Sequence, residues 1–357
     1  MKKVGILSMQ NVTNYGSFLQ GFALKNIVES FGCLCEFIDI EQGIVFPDFK
    51  RSIPFLICKL YERYIKWDFI KRLYYTIKFQ KRFKKEFSLL LGIDVHEISY
   101  FDIAIIGSDE VFNFAQKVPW GFTSQLYGRI NNAGQVISYA GSFGHTTIED
   151  IIRYGVNEKI TSALSSMTAI SVRDSNSFQI IKKLTGKSPS INIDPVLLFD
   201  FDGFVNRNFQ KDYILIYSYP DRIKSKSEIS AIKEFAKKYN KRLVSIGFYF
   251  SWCDETVTPT PFEVLAYFKN ADFVVTDTFH GVVMSLKYNR QFAAIVRSSN
   301  TQKMNSLLSD FRLQDRIVDD MSLLENKLLL HSDYNFVNKK IKEERERSFE
   351  YLRQYLQ

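Results

Sequence analysis

The sequence predicts an α/β protein of two Rossmann-like domains. Short β-rich runs alternate with helical periods from the start of the chain. The alternation halts at a polar, aromatic stretch, residues 199–211, and then restarts. The length of 357 residues agrees, at roughly 100–200 residues per domain.

Taken in order, residues 3–8 are a β-rich run, 9–14 a polar loop, and 15–31 a helix that Gly32 ends. Residues 35–40 form the next strand, which completes a βαβ opening. Further strands are expected at 101–106, 136–140, 169–172 and 190–193. Asp194-Pro195 and the stretch 199–211 mark a boundary. The second series runs strand 213–217, helix 225–239, strand 242–247, helix 261–270, strand 273–276, helix 281–288 and strand 292–296. The charged tail, 335–357, is expected to be a helix that packs back on the first domain. The expected domains are therefore 1–198 and 212–330, hinged near 199–211 and facing one cleft.

The net charge of +8 is concentrated. Residues 51–87 carry eleven basic side chains, Arg51 to Lys85, against Glu62, Asp68 and Glu86, so the rest of the chain is near neutral. The same segment holds Phe55, Tyr61, Tyr64, Trp67, Phe69, Tyr74, Tyr75, Phe79, Phe83 and Phe87 at spacings that fit helical faces. It is expected to be a helical insertion of the first domain, at about 51–90, whose apolar side packs on that domain. Peripheral contact with the inner face of a cell membrane is the second reading, since basic amphipathic helices lie on anionic bilayers. Nucleic-acid binding ranks last, and no nucleic-acid partner is expected.

Cys33, Cys35, Cys58 and Cys253 are too few and scattered for a disulfide framework or a paired metal site, so reduced structural thiols and no metal are expected. Met1-Lys2-Lys3 precedes only four apolar residues, too short for a signal peptide, and no run approaches the roughly 20 apolar residues of a spanning helix. A soluble cytoplasmic protein is the expectation.

Ligands of open α/β sheets gather at the carboxyl ends of strands. The polar runs there are Asn14-Tyr15-Gly16-Ser17-Phe18-Leu19-Gln20, Gly107-Ser108-Asp109-Glu110-Val111-Phe112-Asn113, Gly141-Ser142-Phe143-Gly144, Arg173-Asp174 and Thr276-Asp277-Thr278-Phe279-His280-Gly281. Each alone is explained by helix capping. Together, in this order and with Asn305-Ser306-Leu307-Leu308, they resemble the polysaccharide pyruvyl transferase family. The resemblance covers about residues 1–320 and omits most of the basic insertion. It implies a fold like that of the GT-B glycosyltransferases. It also implies transfer of a pyruvyl group from phosphoenolpyruvate to a sugar of a polysaccharide precursor, lipid-linked or free, as a ketal. Phosphoenolpyruvate would be a co-substrate, and no cofactor is expected.

The residues suit that chemistry. A small trianionic donor needs cations and backbone N–H groups. His280 and Gly281 open a helix, whose dipole favours anions, and Gly281 lets the backbone approach a phosphate. Arg173 suits a carboxylate or phosphate. Ketal formation adds a proton to the donor's methylene carbon, for which His280 is the candidate acid. Asp109 is the candidate carboxylate for the acceptor hydroxyl, with Asn14, Tyr15, Ser108 and Ser142 beside it. Helix capping is the structural alternative for both His280 and Asp109. One departure from the family pattern is Thr278, where an Arg is common; Lys303 and Arg297 are the expected substitutes. Among the other histidines, His145 follows the Ser142-Phe143-Gly144 run and is the one placed to reach the cleft, while His96 and His331 are expected at the surface. Competing readings are a glycosyltransferase using a nucleotide sugar, for which Glu255 and Glu263 are available but unmarked ribose ligands, and a non-catalytic glycan- or partner-binding member.

Overall fold

Strand β1 (Lys3–Leu7) is buried from Val4 onward on both faces, as a parallel strand covered by helices on each side must be. It lies in a computed structural model that describes residues 1–49, 69–205 and 211–357. Residues 51–68 of the expected insertion and 206–210 of the expected hinge fall outside the described residues.

The chain divides into two units. The first comprises, among the described residues, 1–49, 88–199 and 341–357. Its sheet contains β1, β2 (Leu34–Phe37), β3 (Phe101–Asp109), β4 (Ala133–Gly141), β5 (Ser171–Val172) and β6 (Ser190–Ile191). These are all parallel, in the order β2-β1-β3-β4-β5-β6. The second unit comprises 69–87, 200–205 and 211–340. Its strands are β7 (Tyr213–Tyr217), β8 (Arg242–Ile246), β9 (Glu255–Val257), β10 (Phe273–Thr276) and β11 (Gln291–Ala294), parallel in the order β11-β10-β7-β8-β9. Strand β9 was not expected. It is a three-residue edge strand with two polar members and shows no apolar alternation.

In each sheet the chain order reverses once, between β1 and β3 in the first and between β7 and β10 in the second. Such a reversal splays the two following loops apart and leaves a crevice at the carboxyl ends. These two places hold most of the polar runs singled out in the sequence. The first unit's loops are supported by packed rings: Phe112 stacks on Tyr127 at 5.6 Å and meets Phe143 at a tilt at 5.2 Å, and the Tyr127 hydroxyl donates to the Phe112 carbonyl at 2.6 Å. In the second unit Phe235 meets Phe273 edge-on at 5.1 Å beneath β10.

The basic insertion corrects one expectation. Helix Phe69–Arg82 and the π-turn Phe83–Phe87 belong to the second unit, not to the first. Tyr75 stacks on Tyr249 at 5.7 Å, and Phe79 packs against Phe83 at 6.1 Å and Phe248 at 5.4 Å. Arg72 pairs with Asp221 at 2.8 Å, and Arg82 donates to the Thr258 carbonyl. The matching apolar surface is made some 170 residues further along the chain, so position in the sequence pointed to the wrong host.

The last helix, Tyr334–Leu356, passes from second-unit to first-unit residues after Lys340. Its later turns pack on the first sheet. Ser348 accepts from Asn192 Nδ2 at 3.2 Å, the Tyr351 hydroxyl donates to the Ser138 carbonyl at 2.8 Å, and Leu352 is fully buried. Among the described residues no helix is long and apolar enough to cross a membrane.

The packing of the insertion makes a ranked prediction. Phe79→Ala removes a buried ring and should lower stability by about 3–5 kcal/mol. Arg72→Ala, which breaks a part-exposed ion pair, should change it by under about 1 kcal/mol. Denaturant unfolding of the full chain gives both values, and equal effects would contradict the packing described.

Candidate functional site

In the first unit the carboxyl ends of the strands are joined by one chain of polar contacts. Asn14 caps helix Tyr15–Ser30 by accepting from the Ser17 N–H at 2.7 Å. The Ser17 hydroxyl donates to Asp109 Oδ2 at 2.8 Å. Asp109 Oδ1 accepts from Arg173 Nη2 at 2.9 Å, and Arg173 Nη1 donates to Asp194 Oδ2 at 2.8 Å. Asp194 in turn caps the short helix Pro195–Leu198. The Arg173 side chain is 2% exposed. Burial alone would depress its pKa, but Asp109 and Asp194 outweigh that and hold it above the usual guanidinium value. Asp109 keeps a 12% exposed side chain. It sits at φ +76°, a left-handed conformation that non-glycine residues adopt only when their surroundings impose it.

The neighbouring serines are engaged in the same framework. Ser142 Oγ donates to Asp174 Oδ2 at 2.6 Å, and Asp174 caps helix Ser175–Thr185. Ser108 Oγ donates to the Ala140 carbonyl at 3.1 Å and is fully buried. Tyr15, at the first turn of its helix, is 3% exposed. Of the residues expected to face an acceptor, Asn14, Ser108, Ser142 and Asp109 all have protein partners, and Asn14 and Asp109 keep some solvent exposure. Arg173, expected to bind the donor, has both terminal nitrogens on protein carboxylates. His145 Nδ1 lies 3.3 Å from Asn113 Nδ2, His96 pairs with Asp39 at 3.6 Å on an exposed surface, and His331 is exposed.

The second unit gathers its charged groups around the end of β10. Thr278 caps helix Phe279–Lys287, its Oγ1 accepting the Gly281 N–H at 2.9 Å. This corrects the role given to Gly281. Its N–H is taken by the cap, and a Cβ there would come within 2.1 Å of Thr276 Oγ1, so glycine is required by the two threonines. It also explains Thr278: that position holds a buried cap rather than a cation. His280 follows on the first turn, 8% exposed, edge-on to Phe279.

Asp277, fully buried, lies between two arginines. Arg222 Nη1 is 3.9 Å and Arg297 Nε 3.7 Å from its Oδ2, longer than charge-assisted hydrogen bonds. Burial pushes the Asp277 carboxyl upward, against the lowering effects of Arg222, Ser218 and Arg297. Arg297 pairs closely with Glu228 through Nη1 at 2.6 Å. Its Nη2 is buried without a hydrogen-bond acceptor among the described residues. Arg222 follows β7 and stacks on Tyr219 at 4.8 Å. Asn300 Nδ2 donates to the Asp277 carbonyl at 2.7 Å, and Lys303 Nζ sits 5.8 Å from the Phe279 ring. Arg297 and Lys303, named from the sequence, thus share one unit with His280, whereas Arg173 and Asp109 lie in the other. Sequence reasoning missed Arg222, and it named Ser17 and Asp277 within their runs and Asp194 at the boundary without giving them a role. The signal for Arg222 was available, as Ser218-Tyr219-Pro220-Asp221-Arg222 also follows a strand.

A cavity of about 430 Å³ opens beyond β9, lined by Tyr74, Tyr75, Lys78, Arg82, Glu263 and Tyr267 among others. A second, of about 580 Å³, lies in the first unit between Glu41–Ile44 and Arg129, Glu158 and Ser162. Neither is lined by the residues expected to bind donor or acceptor in pyruvyl transfer, and the first includes Glu263, named for the competing nucleotide-sugar reading.

The polysaccharide pyruvyl transferase family model matches residues 14–299. No curated protein sequence matches this one. Among solved structures, the glycotransferase of kitacinnamycin is similar over 100% of this chain and 99% of its own, at 9% identity and a TM-score of 0.52. Arabidopsis thaliana UGT89C1 complexed with UDP-L-rhamnose is similar over 98% of both chains, at 8% identity and 0.52. These likenesses show the fold: two parallel α/β units of the GT-B type.

Two outcomes follow from the ion sets. Arg173→Met strands Asp109 and Asp194 and should lower stability by about 3–5 kcal/mol. Adding Asp194→Asn should recover part of that loss in unfolding curves, and a purely additive double variant would contradict the pairing. Asp277 has a raised folded-state pKa, so its stability contribution is full below the unfolded carboxylate pKa and lost as pH rises through the folded one. Asp277→Asn should therefore gain in melting temperature relative to the native chain as pH rises across that window; the opposite trend would mean that the two arginines dominate.

Proposed function

For a chain that belongs to the polysaccharide pyruvyl transferase family, we propose that it transfers the pyruvyl group of phosphoenolpyruvate to a sugar of a polysaccharide precursor, forming a ketal. The observation that carries the reading is the convergence of Arg222, Arg297 and the His280 helix start on the end of β10. Two arginines and a helix N-terminus at a chain reversal suit a small anion. The buried Arg297 Nη2, with no acceptor among the described residues, supports this.

The chemistry assigns each group a step. Arg222, Arg297 and Lys303 hold the donor's phosphate and carboxylate. His280 gives a proton to the methylene carbon while an acceptor hydroxyl oxygen bonds to the neighbouring carbon. The hydroxyl proton passes to a carboxylate base, the role that the sequence offers Asp109. The phosphate then leaves with its bonding electron pair, and a second hydroxyl of the same sugar closes the ketal, releasing its own proton. Arg173 touches no reacting atom in this scheme. It positions Asp109. Thr278 in place of the family's common Arg is balanced by Arg222, which reaches Asp277 from the adjacent loop.

Phosphoenolpyruvate alone should raise the melting temperature of the protein, and nucleotide sugars should not. A shift with a nucleotide sugar only would overturn the reading in favour of glycosyl transfer. With a competent sugar, phosphate release should fall about a hundred- to thousandfold in His280→Ala with little change in donor KM. Arg222→Ala should chiefly raise that KM. Full turnover in His280→Ala would remove the histidine from the mechanism.

A further inference from the structure

Helix Phe69–Arg82 has two apolar sides. At about 100° per residue, Arg72, Tyr75, Phe79 and Arg82 fall on one side, the one that packs on the second unit. Ile70, Leu73, Tyr74 and Ile77 fall on the opposite side, and they are 77%, 45%, 57% and 40% exposed. Their spacing of i, i+3, i+4 and i+7 makes one continuous outward stripe. Isolated exposed apolar residues are ordinary on a protein surface; a stripe of four large ones asks for a partner.

The charges beside the stripe say which partner. Lys71 and Lys78 border it, Lys81 extends it, and Lys84 and Lys85 follow on the next turn, all exposed. Among the described residues 69–87 the one acid, Glu86, is held by Arg82 at 3.0 Å. A second copy of the chain would bring lysines against lysines. A nucleic-acid backbone would use the lysines but leave the apolar stripe in water. An anionic bilayer satisfies both, since apolar side chains enter the acyl boundary while lysine stems reach back to headgroup phosphates. We propose that this helix docks the protein on an anionic lipid membrane, with Ile70, Leu73, Tyr74 and Ile77 inserted and the lysines on the headgroups. Docking is measured without turnover, so it stands or falls apart from the pyruvyl-transfer reading.

The test is co-sedimentation of the full chain with vesicles of phosphatidylcholine, alone or mixed with phosphatidylglycerol. Binding to the mixed vesicles should be at least about tenfold tighter than to neutral ones, and should weaken as salt shortens the screening length. Replacing Lys71, Lys78 and Lys81 by Gln should weaken it about a hundredfold, at roughly fivefold per lysine. The pair Ile70→Ser and Ile77→Ser should weaken it about tenfold or more, with the melting temperature unchanged because both side chains are exposed. Equal binding to both vesicle types, or to neither, overturns the proposal. So does salt-sensitive binding that survives the Ile pair, which would be adsorption by charge alone. Concentration-dependent dimers in sedimentation velocity, abolished by the Ile pair, would overturn it by making the stripe a contact between copies.

Discussion

The first unit depends on one buried guanidinium. Arg173 leaves the end of β5, Asp109 ends β3, and Asp194 follows β6, so a single side chain ties three strand ends together. Ser17 brings in the helix after β1 through Asp109. A guanidinium this buried is tolerable only with both carboxylates in place, because desolvating it alone would cost more than any single contact returns. The arrangement therefore exists whole or not at all. It also restrains Asp109 in its left-handed backbone, with a side chain that is 12% exposed.

The second unit uses similar residues to a different end. In the first unit the ion pairs close at 2.8–2.9 Å. Around Asp277 the arginine contacts are 3.7–3.9 Å, and the carboxyl is pushed towards its neutral form. A closed set of charges is a fastening. An open set, with a buried Arg297 nitrogen that has no acceptor among the described residues, leaves positive potential for something else to neutralise. Thr278 fits this division of labour: the hydroxyl there secures the helix start, and cations come from the loops after β7 and β11.

Most strands of both sheets were legible in the sequence because parallel strands are uninterrupted apolar runs and the residues that end them are conspicuously polar, whereas the strand order and its reversals were not. The runs around Asp109, Arg173 and His280 were found this way. What could not be read was pairing. Arg173 meets partners 64 and 21 residues away, and nothing in a guanidinium's own neighbourhood says whether a protein carboxylate or a ligand will face it. Gly281 was seen as a place for close approach, which is correct physically, but the approaching atom is Thr276 Oγ1. Strand β9 escaped because three residues carry too little pattern. The host of helix Phe69–Arg82 escaped because the surface it needs is encoded around Phe248.

The net charge illustrates what burial adds to a count. From composition, +8 and a basic segment suggest one cationic surface. The structure sorts the cations into three kinds by exposure and partner distance. Arg173 is buried and doubly paired, so its charge is invisible from outside and serves the fold. Arg297 is paired at one nitrogen and open at another, and Arg222 is part-exposed, so their charge is available locally to a small anion. Lys71, Lys78 and Lys81 are exposed, and with no close acid among the described residues they project their field into solvent beside apolar side chains. Only the last kind is screened by salt over the distances at which a surface is recognised. Salt dependence therefore separates surface attachment from donor binding in one protein without removing either site.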